Sequence, residues 1–138
     1  MNKRYYLDSC IWKDYFENRS DRLRPLGDWA LALIKKVISE GDLFVISDKV
    51  IEELRKDYSL EDLKSMFEII PKTLIVEVLT NERLIKEALN IKNKFGIHFG
   101  DALHISLAKE NKAILVSRDN HFYEIQTEIE VKKPEDLI

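Results

Sequence analysis

The run from residue 96 to residue 119, GIHFGDALHISLAKENKAILVSRD, constrains the fold more than any other stretch. It joins a helix pattern that is apolar on two sides to a short strand that is apolar throughout. Asp101, Ile105 and Ala108 fall at i, i+4 and i+7, and Phe99, Leu103 and Leu107 make a second stripe. A helix of that kind has to be wedged between other elements. Ala113-Ile114-Leu115-Val116-Ser117 shows no alternation, which is the pattern of a strand covered on both faces in a parallel sheet. Its two aspartates then stand in costly places. Asp101 faces inward, where a carboxylate needs a cation or donors to offset its desolvation, and Asp119 follows the end of a strand, where open α/β sheets bind ligands.

The rest of the chain repeats the alternation. Residues 4–7 favour a strand, Asp8-Ser9 stop it, and Ile11, Trp12, Tyr15 and Phe16 have helical spacing. Asp8 is thus both an N-cap candidate and an acid at a strand end. Residues 29–38 form a strongly apolar helix, core or dimer face, closed near Gly41, and residues 43–46 are a second buried strand. Ser47-Asp48 start a helix with Val50, Ile51, Leu54 and Tyr58 as its stripe; on the wheel Glu53 lies about 115° from the stripe's centre and Glu52 about 145°, which makes Glu53 the better site candidate. Ser59 and Asp62 have capping-box spacing. Residues 73–79 read as a third strand, and residues 82–95 as an amphipathic helix with Leu84, Ile85, Ala88, Leu89 and Ile91 inside, ended by Gly96. Residues 129–131 are a candidate last strand. The expectation is one α/β domain over residues 1–138, with a central, mainly parallel sheet flanked by helices and right-handed crossovers.

Composition narrows the function classes. A chain of 138 residues can bury a core without staples, and its single cysteine, Cys10, allows neither an internal disulfide nor a cysteine-based zinc site and reads as a small buried residue. With no leader pattern and no long apolar run, the expectation is a soluble cytoplasmic chain that makes no membrane contact. The net charge of −3 is not the footprint of a basic nucleic-acid binder, yet Lys49, Arg55, Lys56 and Arg118 flank the acidic positions and are candidates for a basic rim.

In a parallel sheet all the strand ends share one edge, so Asp8, Glu53, Asp101 and Asp119 can converge from distant positions. Converging carboxylates repel one another and raise their own pKa values unless cations sit among them. Mg²⁺ or Mn²⁺ fits such an oxygen-rich site and keeps waters for a substrate phosphate, which is the chemistry of a metal-assisted nuclease.

The segments YYLDSC, VISDKVIEEL, HFGDALHISLA and ILVSRDNHF resemble the four signature blocks of the PIN-domain ribonucleases, in the form of the small VapC-type toxins of toxin–antitoxin pairs. The resemblance runs essentially the full length. It implies an acidic tetrad of Asp8, Glu53, Asp101 and Asp119, with Asp8, Asp101 and Asp119 as metal ligands. Glu53 would ligate directly or through water, and Ser9 and Ser117 take the hydroxyl positions beside the first and last acids. It further implies Mg²⁺- or Mn²⁺-dependent endoribonuclease cleavage of an RNA substrate, an antitoxin partner and a homodimer. The chain departs from the pattern at His121, where many members carry a further aspartate, so whether one metal or two bind stays open.

Three other readings compete. His98, Asp101 and His104, at i, i+3 and i+6, suggest a transition-metal site, although helical zinc pairs usually use i and i+4. A receiver-like signalling domain also carries an acidic Mg²⁺ pocket at its strand ends, but would want paired acids after the first strand, where Asp8 is followed by Ser9. A PIN-like scaffold that binds nucleic acid or protein without cutting is the third.

Overall fold

The computed structural model describes residues 2–138; Met1, the first residue of the domain expected over 1–138, lies outside the described residues. Strand β1 (Arg4–Leu7) runs through Asp8 into helix α1 (Ser9–Glu17), and α2 (Leu26–Ser39) leads to β2 (Leu43–Ser47). Helices α3 (Asp48–Arg55) and α4 (Leu60–Phe67) follow, then β3 (Ile75–Val78), α5 (Glu82–Phe95) and α6 (Phe99–Glu110). The chain closes with β4 (Ile114–Val116), α7 (Asn120–Tyr123), β5 (Val131–Lys132) and a turn of 3-10 helix, Pro134–Asp136.

The strands form one parallel sheet in the order β3-β2-β1-β4-β5. The chain builds outward from β1 to β3, then returns to lay β4 against the other side of β1. That reversal makes the carboxyl ends of β1 and β4 the switch point at which such sheets leave a crevice. Leu7 pairs with Val116, and the Asp8 backbone N–H donates to the Val116 carbonyl at 2.9 Å, so the residues after both strands start from a fixed register. A receiver domain has the order 2-1-3-4-5, which this sheet does not have.

Local chemistry accounts for the boundaries. Asp8 and Ser47 cap α1 and α3 with their side chains, Ser59 and Asp62 form the expected capping box, and Gly96 ends α5 with φ 67°, a left-handed conformation that suits glycine. Helix α6 is buried at every position from Ala102 to Ala108, as its two apolar stripes require, and packs along α5 and beside β4. Among the described residues no helix is long and apolar enough to cross a membrane.

The structure differs from the sequence expectation in four places. Helix α3 ends at Arg55, so Tyr58, expected in its apolar stripe, lies past the helix end and is half-buried. The third strand is shorter than 73–79: Lys72–Leu74 form a 3-10 turn after Pro71, and Ile75–Val78 lie at the sheet edge, where none is fully buried. On α5 only Leu84, Ala88 and Ile91 are buried, while Ile85 and Leu89 are 38% and 43% exposed, because α6 covers one narrow side of the helix. The last strand is Val131–Lys132 instead of 129–131; Ile129 is buried but precedes the pairing.

Candidate functional site

Asp8 is 9% exposed at the end of β1 and is held by donors from three directions. Its Oδ1 accepts the Ser9 backbone N–H at 2.7 Å and its Oδ2 accepts the Ser117 hydroxyl at 3.0 Å, with the Cys10 thiol at 3.5 Å. The N-cap role and the site role therefore coincide in one carboxylate. Burial, then the Asp8 charge, push the Cys10 thiol well above its ordinary value, so this half-buried cysteine stays a thiol.

Glu53 reaches the same place from α3. Its Oε1 accepts the Ser9 hydroxyl at 3.0 Å and lies 2.8 Å from His104 Nε2, which is itself 4.0 Å from Asp8 Oδ1. His104 Nδ1 lies 2.7 Å from the Tyr6 hydroxyl, and that hydroxyl 2.6 Å from the Ser47 hydroxyl. The Lys49 ammonium is 4.0 Å from Glu53 Oε2. Burial works to raise the Glu53 pKa, but His104, Ser9 and Lys49 outweigh it and hold the carboxyl below its ordinary value. Glu52, by contrast, is 65% exposed and meets Lys49 at 3.4 Å.

Asp101, in the first turn of α6, and Asp119, after β4, form the other half of the site. The Asp119 backbone N–H donates to the Ser117 hydroxyl oxygen at 3.0 Å, and its carboxylate accepts the His121 backbone N–H at 2.9 Å, with His121 Nδ1 at 3.3 Å. Burial raises the Asp101 pKa first, and the charges of Asp119 and Asp8 raise it further. That is the signature of carboxylates crowded together without enough positive charge.

The donor set fits a hard divalent cation. Oxygen and nitrogen atoms of Asp8, Glu53 and His104 lie within 4.8 Å of one another, and so do those of Asp101, Asp119 and His121. Each group sets two carboxylates beside one imidazole; in the first, both His104 ring nitrogens are already engaged by Glu53 and Tyr6, so the carboxylate oxygens are the ligands on offer. Lys49 also borders the acids at Gly100, where an added Cβ would stand 3.6 Å from its Cε.

All four acids expected from the sequence thus lie around the switch point, and Ser9 and Ser117 bond to them. Glu53, not Glu52, is the inward glutamate. The transition-metal reading comes apart: His98 is exposed, Asp101 groups with Asp119 and His121, and His104 turns to Glu53 and Asp8. Arg118 is not part of a basic rim. Only 14% exposed, it donates to Glu135 Oε2 at 2.9 Å, forms an ion pair with Glu135 Oε1 at 2.8 Å, lies 3.6 Å from Asp14 and stacks over Trp29. Sequence reasoning missed Tyr6 and Ser47 as supports of the site. The available signal was that Tyr6 lies two residues before Asp8, whose extended backbone continues the line of β1, and so shares its face.

A family model described as PIN domain matches residues 5–128. Comparison with curated proteins gives no match. Among solved structures, the chain resembles VapBC2 from Rickettsia felis, bound to a fragment of promoter DNA, at TM-score 0.70 and 16% identity, covering 94% of this chain and 98% of that one. It resembles VapBC-1 from nontypeable Haemophilus influenzae at TM-score 0.66 and 18% identity, with coverage of 96% and 98%. A toxin-antitoxin complex from Klebsiella pneumoniae matches at TM-score 0.64 and 14% identity, with coverage of 94% and 97%. At these identities the likeness is one of fold.

Proposed function

The chain belongs to the PIN-domain family, and from that membership we propose that it is a cytoplasmic, Mg²⁺- or Mn²⁺-dependent endoribonuclease, the toxin of a type II toxin–antitoxin pair, with residues 1–138 as one nuclease domain. The observation that carries the reading is the convergence of Asp8, Glu53, Asp101 and Asp119 at the β1/β4 switch point, with the Asp101 pKa raised by burial and then by its acidic neighbours.

Asp8, Asp101 and Asp119 would hold the cation, with Glu53 ligating directly or through water. When bound, such an ion polarises a phosphodiester and makes water a better nucleophile at neutral pH. Ser9 and Ser117 keep the Asp8 carboxylate in one orientation by donating to it and to its neighbour Glu53. Glu53, ionised and fixed, is suited to orient the attacking water toward phosphorus. Lys49, beside Glu53 and Gly100, is the cation placed to meet a substrate phosphate.

An antitoxin partner is supported by the solved relatives, which carry the names of toxin–antitoxin pairs. A homodimer is supported by the exposed apolar side chains of Ile85 and Leu89 on α5. The test is cleavage of a structured and an unstructured RNA and of matched single-stranded DNA, with Mn²⁺, with Mg²⁺ and with EDTA. Metal-dependent cutting of RNA supports the reading. Binding of metal without cutting of any substrate would favour the non-catalytic scaffold.

A further inference from the structure

His104 is 1% exposed, yet both of its ring nitrogens are engaged, and their partners lie on opposite sides of the ring. An ionised carboxylate only accepts, so Nε2 carries the proton it shares with Glu53 Oε1 across 2.8 Å. In a neutral ring Nδ1 then accepts the proton of the Tyr6 hydroxyl at 2.7 Å, and the Tyr6 oxygen accepts that of Ser47 at 2.6 Å. The Ser47 oxygen accepts the backbone N–H of Val50 at 3.1 Å. Every donor in this row has an acceptor, and the direction is consistent from end to end.

The row starts at Val50, in the first turn of α3, and returns to Glu53 one turn further along the same helix. Between the two it crosses the end of β2, strand β1 and helix α6. Four elements of the core therefore fix one side chain. Glu53 Oε1 receives both His104 and the Ser9 hydroxyl, which leaves Oε2, beside Lys49, as the oxygen free to meet a ligand. The burial of Tyr6 and Ser47, each 0% exposed, keeps water from competing for these bonds.

We propose that His104, held by Tyr6 and Ser47, is a positioning residue that fixes the Glu53 carboxylate toward Asp8 and thereby sets the affinity of the acidic site for a divalent cation. The proposal rests on the reading of that site as a metal centre. It assigns to a buried aromatic and imidazole row the task that an outer-shell partner performs in metal proteins, where its loss costs about 10- to 100-fold in metal affinity or activity.

The test is titration of the full chain with Mn²⁺, followed by electron paramagnetic resonance, for His104→Asn, His104→Gln and Tyr6→Phe, each alone and combined with Glu53→Gln. His104→Asn, whose amide stands where Nδ1 was, should weaken Mn²⁺ binding by about 10-fold or more. His104→Gln, which keeps a donor where Nε2 was, should retain more of the affinity, and Tyr6→Phe should weaken it in the same direction. In the Glu53→Gln background all three should lose their effect. A merely structural role would leave its cost unchanged there. Affinities equal to wild type in both Tyr6→Phe and His104→Asn, or losses that add to that of Glu53→Gln, would overturn the proposal. If His104→Asn does not fold, the Tyr6→Phe cycle decides alone. Wild-type protein that binds no Mn²⁺ overturns the metal-centre reading, whereas wild type that binds with additive variants overturns only the positioning role.

Discussion

Ser117 joins Asp8 across the switch point: its hydroxyl donates to Asp8 Oδ2 at 3.0 Å, and its oxygen accepts the Asp119 backbone N–H, also at 3.0 Å. One fully buried hydroxyl thus sets the first acid and the start of the fourth at once. Ser117→Ala leaves the almost buried Asp8 carboxylate short of a donor, and a hydrogen bond to a charged group contributes about 1.5–3 kcal/mol. A fall in unfolding free energy of that size in urea is expected, and an unchanged midpoint would show that Asp8 does not depend on Ser117.

Asp101 should behave oppositely with and without metal. Its folded-state pKa is raised by burial, Asp119 and Asp8, so the folded chain binds its proton more tightly than the unfolded chain does. Stability of the metal-free protein then falls as pH rises from the ordinary aspartate value through the raised one. Asp101→Asn removes that loss. Its melting temperature without metal should exceed wild type by a few degrees at neutral pH, with the gap closing below the ordinary aspartate range. Added Mn²⁺ should stabilise wild type more than Asp101→Asn. A metal-free Asp101→Asn that melts lower than wild type at neutral pH contradicts the picture of crowded, uncompensated acids.

Arg118 ties the residue before the fourth acid to the C-terminal turn through Glu135, and to α1 through Asp14. Truncating Glu135 leaves the largely buried Arg118 charge with Asp14 alone. Glu135→Ala should cost about 2 kcal/mol, less than the penalty for a fully buried pair, and amide exchange should quicken around residues 117–119 and 134–137. Arg118→Lys, without the planar fork, should recover little of the stability lost in Arg118→Ala. Full recovery by lysine would mean that charge alone matters there.

Ile85 and Leu89 present apolar surface on one side of α5. If a second copy covers them, Leu89→Glu should convert the dimer to a monomer in light scattering while leaving the melting of the monomer within about 0.5 kcal/mol, as for other surface substitutions. A wild-type chain that is monomeric at high concentration removes the homodimer from the proposal.

The sequence was legible where one residue type answered one physical demand. The continuous apolar run before Ser117 could only suit a doubly covered strand, and the single buried face of α3, carried by Val50 and Leu54, was enough to separate Glu53 from Glu52. Apolar spacing marks side chains that avoid water, not those that find cover, so it did not distinguish Ile85 and Leu89 from Leu84 and Ala88. The partner of His104 was hidden for a different reason. Tyr6, Ser47, Glu53 and His104 meet only because β1 lies between β2 and β4, a register that the pairing of whole strands decides. Arg118 looked like a free surface cation because its partners are separated from it in sequence, at Asp14 and Glu135.

If the acids at the switch point cut RNA with a divalent metal, single-turnover RNA cleavage by wild type and Asp101→Asn, in Mn²⁺ and in EDTA, will separate the two proteins. The substitution keeps the shape of the side chain and removes its charge. Wild type should cleave in Mn²⁺ and not in EDTA, and Asp101→Asn should lose at least about 100-fold, as for removal of an electrostatic group from a catalytic site. Equal cutting by the two proteins, or cutting that survives EDTA, would contradict metal-dependent cutting by these acids.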